Sequence, residues 1–97
     1  MVRLDTEFPF AWYLELVQRR VSENWLKPEQ ARPPQGTVIY FRILADGKVE
    51  GVEVERPSGA ALFDRAALRA VSSLDRMPPL PAGFGEPRLG IHFEFLP

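Results

Sequence analysis

The sequence has no cysteine and only one histidine, His92. Without cysteine there are no disulfides, thiolate nucleophiles or cysteine-ligated metal sites, and cysteine usage does not identify the cellular compartment. A single histidine without cysteines makes a poor metal site. We therefore expect the chain to bind no metal and no cofactor.

The chain also lacks a surplus of either charge and any long apolar run. Its 97 residues include 12 Lys and Arg against 13 Asp and Glu, so nothing favours binding to the phosphate backbone of a nucleic acid. No apolar run approaches the roughly 18 residues of a membrane span, and the first residues lack the apolar core of a signal peptide. Either the protein is cytosolic, or this chain is a domain of a longer, anchored protein.

The residues that are present have the composition of one ordinary globular domain. Hydrophobic residues make up 45% and charged residues 26%, enough for a single modest core. The ten prolines and seven glycines fall between the patterned segments. They predict short elements joined by stiff loops. We expect residues 1–7 to be a polar, disordered lead-in and residues 8–97 to form the domain.

Apolar residues near the N-terminus predict a helix that ends before Pro28, because proline disfavours helical geometry in the residue before it. The spacings of four, three, four and four that indicate one helix face belong to Phe10, Leu14, Val17, Val21 and Trp25. A second apolar set, Phe8, Trp12 and Leu16, lies nearly opposite. Either the N-terminal segment or a loop covers this set, or it is a second interface for upstream chain, another copy or a partner.

Residues 37–44 are rich in β-branched and aromatic residues and predict a strand, and residues 49–56 predict the returning strand of a β-hairpin. The turn is Ala45-Asp46-Gly47-Lys48, in which Asp-Gly suits a tight reversal. Val49 is out of phase with Val52 and Val54, which predicts a bulge near Gly51.

A second amphipathic helix follows between Phe63 and Leu74, and residues 77–87 are too rich in proline to be more than a stiff connector. Residues 88–96 alternate apolar and polar side chains and predict a last strand. The order is then α-β-β-α-β. We expect an α+β two-layer sandwich with a three-stranded antiparallel sheet and both helices on one face. The last strand lies beside the first, which leaves the second and third strands at the edges.

Candidates for catalysis are few, and we expect no enzyme. Glu53 and Glu55 share a face of the second strand but point to solvent without a supporting histidine. Ser58 lies in no nucleophile motif and is better placed near a helix start. His92 is expected on the open face of the last strand, as a solvated position or a partner contact.

The edge of the last strand is the main candidate site, because no later residue of the chain can cover it. Unpaired N–H and C=O groups at such an edge are either protected by charged side chains or used to bind an extended peptide. The residues alone leave both alternatives open. The candidate partner-binding residues are Arg88, Leu89, Gly90, Ile91, His92, Phe93 and Glu94.

The motifs in this order resemble the C-terminal domain of the TonB/TolA family over nearly the whole chain. They are YL..V...VSENW before a proline, GTV, DGKV, VEV, RPSG, FDRAALRAV, MPPLP and the final alternating strand. The resemblance implies a periplasmic domain at the end of an inner-membrane-anchored protein. Its last strand would pair with a peptide of an outer-membrane TonB-dependent receptor, and inner-membrane motor proteins would act through the missing N-terminal part. A TolA-type domain engaging Tol–Pal components, or a dimerising envelope-assembly module, is the alternative.

Overall fold

A computed structural model describes residues 2–97. Two helices, four strands and one turn of 3-10 helix (Ala82–Phe84) make up the fold of this part of the chain. In chain order, the helices and strands are β1 (Val2–Leu4), α1 (Ala11–Glu23), β2 (Thr37–Leu44), β3 (Val49–Arg56), α2 (Ala61–Ser72) and β4 (Arg88–Phe95). Neither helix in residues 2–97 is long and apolar enough to cross a membrane.

The sheet has the order β1-β4-β2-β3, with antiparallel pairing throughout. The predicted position of the last strand beside the first strand of the hairpin is confirmed, as is the edge position of β3. The predicted count of three strands is wrong, because Val2–Leu4, within the expected lead-in, forms a fourth. Three residues are too few to show a strand period, and this strand is held by its pairing with β4.

Both helices pack on one face of the sheet, around a core that includes Tyr13, Phe41 and Phe63, all fully buried. The alternating residues Ile39, Phe41 and Ile43 of β2 line this face, as do the apolar residues of β4. The other face carries the charged and polar positions of the strands. One face of the sheet is therefore available for polar interactions.

The β2–β3 hairpin has the predicted turn and the predicted bulge. Gly47 has a φ of +94° in the turn, and Gly51 has a φ of +64°. Tyr40 pairs with Glu53 and Arg42 pairs with Glu50, so β3 carries one residue more than β2 across this step. The bulge forms at Gly51 because glycine adopts positive φ without steric cost.

Candidate functional site

The side chains of β4 divide between the core and the open face. Leu89, Ile91, Phe93 and Phe95 are buried, while Arg88 is exposed and His92 and Glu94 are half-buried on the open face. The seven residues predicted from the sequence to bind a partner therefore cannot all offer side chains. What they share is the β4 backbone, whose N–H and C=O groups face the outer edge at every second residue.

That edge is partly occupied by the chain itself. β1 lies antiparallel to β4, with Val2 opposite Phe93, Arg3 opposite His92 and Leu4 opposite Ile91. The backbone N–H of Asp5 also donates to the carbonyl oxygen of Gly90 at 3.1 Å. An earlier segment of the chain therefore covers part of β4. The expectation of a bare outer edge is corrected over residues 90–93.

A polar cluster on the open face fastens this segment to the sheet. His92 Nε2 lies 2.5 Å from Asp5 Oδ1, and His92 Nδ1 contacts Glu55 Oε1. The Tyr40 hydroxyl donates to Asp5 Oδ2 at 2.7 Å, and Arg3 pairs with Glu55 at 3.2 Å. Four of these residues lie on four different strands of the sheet, and Asp5 directly follows β1. The cluster therefore crosses the whole sheet.

The charges of the cluster depend on one another. A neutral imidazole carries a single N–H, so His92 donates to both carboxylates only as an imidazolium. The hydrogen bond from Tyr40, and after it the bond from His92, hold the pKa of the Asp5 carboxyl below its ordinary value. The same bond from Tyr40 to Asp5 raises the pKa of the Tyr40 phenol. The cluster is therefore built around an ionised Asp5.

Glu55 reaches His92 because of a second bulge, which the sequence pattern did not reveal. Val38 pairs with Arg56 and Ile39 pairs with Val54, so Glu55 is an extra residue on β3. Glu53, its expected companion, is exposed opposite Tyr40. Across residues 2–97, no group of three or more His, Asp or Glu side chains is arranged to hold a metal ion. Glu55 therefore connects β3 to β4 and β1 through its polar contacts with His92 and Arg3.

The second apolar set does not form one surface. Phe8 is only 7% exposed and packs against Phe10, Tyr13 and Phe84 at ring-centroid distances of 5.1, 5.8 and 4.8 Å. α1 begins at Ala11, so Phe8 precedes the helix and is covered by the 3-10 turn that contains Phe84. Leu16 is half-buried against the core. Only Trp12, at 56% exposure, presents a large apolar surface.

An open apolar groove of about 260 Å³ adjoins the end of β4, where the pairing with Val2 stops. Trp25 lies in its wall, with its ring 4.7 Å from that of Phe95. The other lining residues are Val21, Ser22, Phe93, Glu94 and Leu96. The groove continues the outer edge of β4 beyond the part that β1 covers.

Comparisons with known proteins agree on one family. Residues 10–95 match the family described as TonB C terminal. The Tol-Pal system protein TolA of Pseudomonas aeruginosa is 32% identical over 66 residues, which are 68% of this chain and 19% of that protein. Protein TonB of Haemophilus influenzae is 32% identical over 77 residues, 76% of this chain and 28% of that protein. The chain thus spans less than a third of either relative.

Solved structures with the same fold include both kinds of domain. The solution structure of the Helicobacter pylori TonB C-terminal domain has a TM-score of 0.69 at 25% identity, covering 89% of this chain and 79% of that one. The solution structure of TolAIII bound to a peptide from the N-terminus of TolB has a TM-score of 0.70 at 25% identity, covering 98% of this chain and 79% of that one. The sequence motifs, the fold and these relatives together place the chain in the TonB C-terminal domain family, whose members are protein-interaction domains.

Proposed function

We propose that this chain is the periplasmic C-terminal domain of a TonB-type energy transducer and is not an enzyme. In this proposal it binds a peptide of an outer-membrane receptor by adding it as a strand to β4. The rest of the protein anchors it in the inner membrane and connects it to motor proteins. The observation that supports this most is the pairing of β4 with an extended segment, Val2–Leu4, at its outer edge.

Backbone pairing suits a contact that transmits force. Several ladder hydrogen bonds share the load, while each contributes only about 1 kcal/mol net. After the cost of ordering the peptide, a short strand binds weakly, as a transient coupling requires. In such strand addition the backbone hydrogen bonds supply affinity, and contacts of alternate side chains supply specificity.

A TolA-type role is the second candidate, in which the domain engages a Tol–Pal component. Two observations favour it. The solved TolAIII structure, which holds a TolB peptide, covers 98% of this chain against 89% for the H. pylori TonB domain. A TolA is also among the curated relatives at 32% identity. A third role, as a dimerising envelope-assembly module, now depends on Trp12 alone.

The orientation of the β4 backbone decides which variants test strand addition. Because the carbonyl oxygen of Gly90 accepts from Asp5, the N–H and C=O groups of Gly90, His92 and Glu94 point outward, and those of Ile91 point to β2. Ile91→Pro would therefore break the sheet itself. His92→Pro removes an outward donor, and His92→Ala is its matched control with the donor retained.

The experiment uses ¹⁵N-labelled domain and two synthetic peptides from the same genome, one from a receptor N-terminal extension and one from the TolB N-terminus. We expect chemical-shift changes along β4 with one peptide. We expect binding that His92→Ala retains and His92→Pro loses, with circular dichroism showing that both variants are folded. The peptide that binds selects between the TonB and TolA roles. Shift changes centred on Trp12, or full binding by folded His92→Pro, would overturn strand addition at β4.

A further inference from the structure

The segment from Val2 to Asp5 occupies the edge that the proposed function assigns to the partner, so the two cannot bind there together. We propose that this segment is a displaceable internal occupant of β4. Its order of side chains, aliphatic, basic, aliphatic and acidic, is then the order that the edge selects in a partner peptide. This inference rests on the proposed function. It adds the side-chain chemistry of the partner peptide and the displacement of residues 2–5 from the edge of β4.

β1 can separate from the sheet without disturbing the core. It has three residues, where strands more often have five or six. Its only strand neighbour is β4, and Val2 and Leu4 are half-buried at the margin of the core. Residues 5–10 then connect it to α1. Removing the segment leaves β2, β3, β4 and both helices with all of their mutual contacts.

The side chains of the segment match the sheet position by position. Val2 and Leu4 face the helix layer, opposite Phe93 and Ile91. On the other face, Arg3 lies 3.2 Å from Glu55. Asp5 accepts from Tyr40 and contacts His92. Loss of the segment removes the acceptor of Tyr40 and the Nε2 partner of His92, so a replacement strand with an acid at this position restores both bonds.

A partner strand gains contacts that β1 does not make. An antiparallel peptide that continues on the N-terminal side of the Val2 position runs beside Glu94 and Phe95. Side chains alternate along a strand, so the residue two before that position faces the helix layer. The apolar groove walled by Trp25 lies there. The preferred partner is therefore an extended peptide with an apolar residue, one spacer, and then the aliphatic, basic, aliphatic, acidic run.

A partner also has to overcome an internal competitor. A short tether gives a segment an effective concentration on the order of millimolar, which opposes a free peptide. Weakening β1 should then strengthen partner binding, although it removes nothing from β4. Asp5→Asn removes the carboxylate from His92, and Arg3→Glu places like charge beside Glu55. Asp5 and Arg3 are both exposed residues outside the core, so both variants keep the fold.

The test titrates the full chain with the acetylated peptide Leu-Thr-Val-Arg-Leu-Asp-Thr-Glu, which carries the proposed pattern. A second peptide exchanges its Arg and Asp, and a third has Asn for Asp. We expect the first peptide to bind Asp5→Asn and Arg3→Glu three- to tenfold more tightly than the unchanged chain. We expect the charge-exchanged peptide to bind at least tenfold more weakly, and His92→Gln to abolish the preference for Asp over Asn. At saturation, the amide signals of Arg3 and Asp5, whose N–H groups point to β4, should move to unpaired positions.

The outcomes separate this inference from the proposed function. If the peptide perturbs β4 while the Arg3 and Asp5 amides stay paired with it, the displacement is overturned and strand addition stands. The same holds if Asp5→Asn and Arg3→Glu leave the affinity unchanged. Equal affinity for the charge-exchanged peptide overturns the side-chain pattern alone. Shift changes away from β4 overturn both proposals. No binding of any of the three peptides to the Asp5→Asn chain overturns the inference, while the receptor and TolB peptides still test the function.

Discussion

His92 and Asp5 lie 87 positions apart in the chain and are joined at 2.5 Å on the open face of the sheet. This contact links the last strand to the residue that follows the first. His92 is 14% exposed at its side chain and Asp5 is 46% exposed. The less exposed member belongs to β4, and the more exposed member belongs to the segment that we propose to be displaceable.

Acid should release this segment before it unfolds the domain. The pKa of Asp5 is held below its ordinary value of 3.8 by Tyr40 and then by His92. A carboxyl with a lowered folded-state pKa stabilises the paired state above the unfolded pKa, and this contribution is lost as pH falls through the folded-state value. We expect the amide signal of Arg3, whose N–H points to His92, to shift below about pH 4. Asp5→Asn should show no such transition, and a transition of equal size in that variant would contradict the assignment.

Asp64 should matter more to stability than its place in the first turn of α2 suggests. Its Oδ1 accepts from the Thr37 hydroxyl at 2.6 Å and from the backbone N–H of Ser58 at 2.9 Å, and Thr37 and Ser58 are buried. Burial alone would raise the pKa of this carboxyl, but these bonds outweigh it and lower the pKa. Asp64→Ala leaves two buried donors without a partner, so we expect a loss of about 1–3 kcal/mol in urea unfolding. Asp75→Ala, at an exposed position, is the control and should change stability little.

Alanine substitutions at two glycines distinguish the cost of an unfavourable backbone conformation from the cost of a steric clash. Gly47 and Gly85 have φ values of +94° and +76°. A Cβ on Gly47 would lie 1.8 Å from the carbonyl oxygen of Met77, whereas one on Gly85 would meet nothing within 4 Å. We expect Gly85→Ala to cost about 1 kcal/mol for conformation alone. Gly47→Ala should cost several times more, because the 2.8 Å hydrogen bond from the Met77 N–H to the Gly47 carbonyl oxygen must also break. Equal melting temperatures for the two variants would contradict this.

The isolated domain should remain monomeric when Trp12 is changed. Trp12 is 56% exposed, and its ring contacts Tyr13 edge-on at 5.5 Å. If edge pairing on β4 is the function, Trp12→Ser leaves both the mass by light scattering and peptide binding unchanged. Leu16→Glu is less informative, because Leu16 packs against the core and the charge would destabilise the fold. A dimer of the unchanged domain that Trp12→Ser dissociates would favour the assembly role.

The sequence predicted the elements whose residues repeat with a period. The β2–β3 hairpin, its turn at Gly47, its bulge at Gly51 and the last strand were all found, because alternation and positive-φ residues are local signals. The placement of β4 beside β2 followed from connection rules. The predicted core face of α1 was slightly rotated from the observed one, since Tyr13 is buried whereas Leu14, which was expected in the core, is only half-buried.

The candidate site was predicted less completely, because its parts meet only in the folded chain. β1 is three residues long, and Val2-Arg3-Leu4-Asp5 alternates too briefly to be distinguished from a frayed end. Glu55 reaches His92 through a second bulge that has no glycine to mark it. Phe8 was assigned to a helix face because the helix start was placed too early, and its burial depends on Phe84 from a distant turn. His92 was identified as an open-face residue, but its partners were not.

The antiparallel arrangement of β1 on β4 also has a consequence for how the domain responds to tension. A pull applied to the chain on the N-terminal side of Val2 reaches β1 before any other element, and it loads the Val2–Phe93 pair first. A pull directed away from the sheet opens the pairs one after another. A peptide laid along β4 and pulled along its own length is instead loaded in shear, with its ladder bonds strained at the same time. A pull directed away from the sheet therefore clears β1 from the edge pair by pair, and a peptide that then pairs with β4 resists a pull along its own length with all of its ladder bonds.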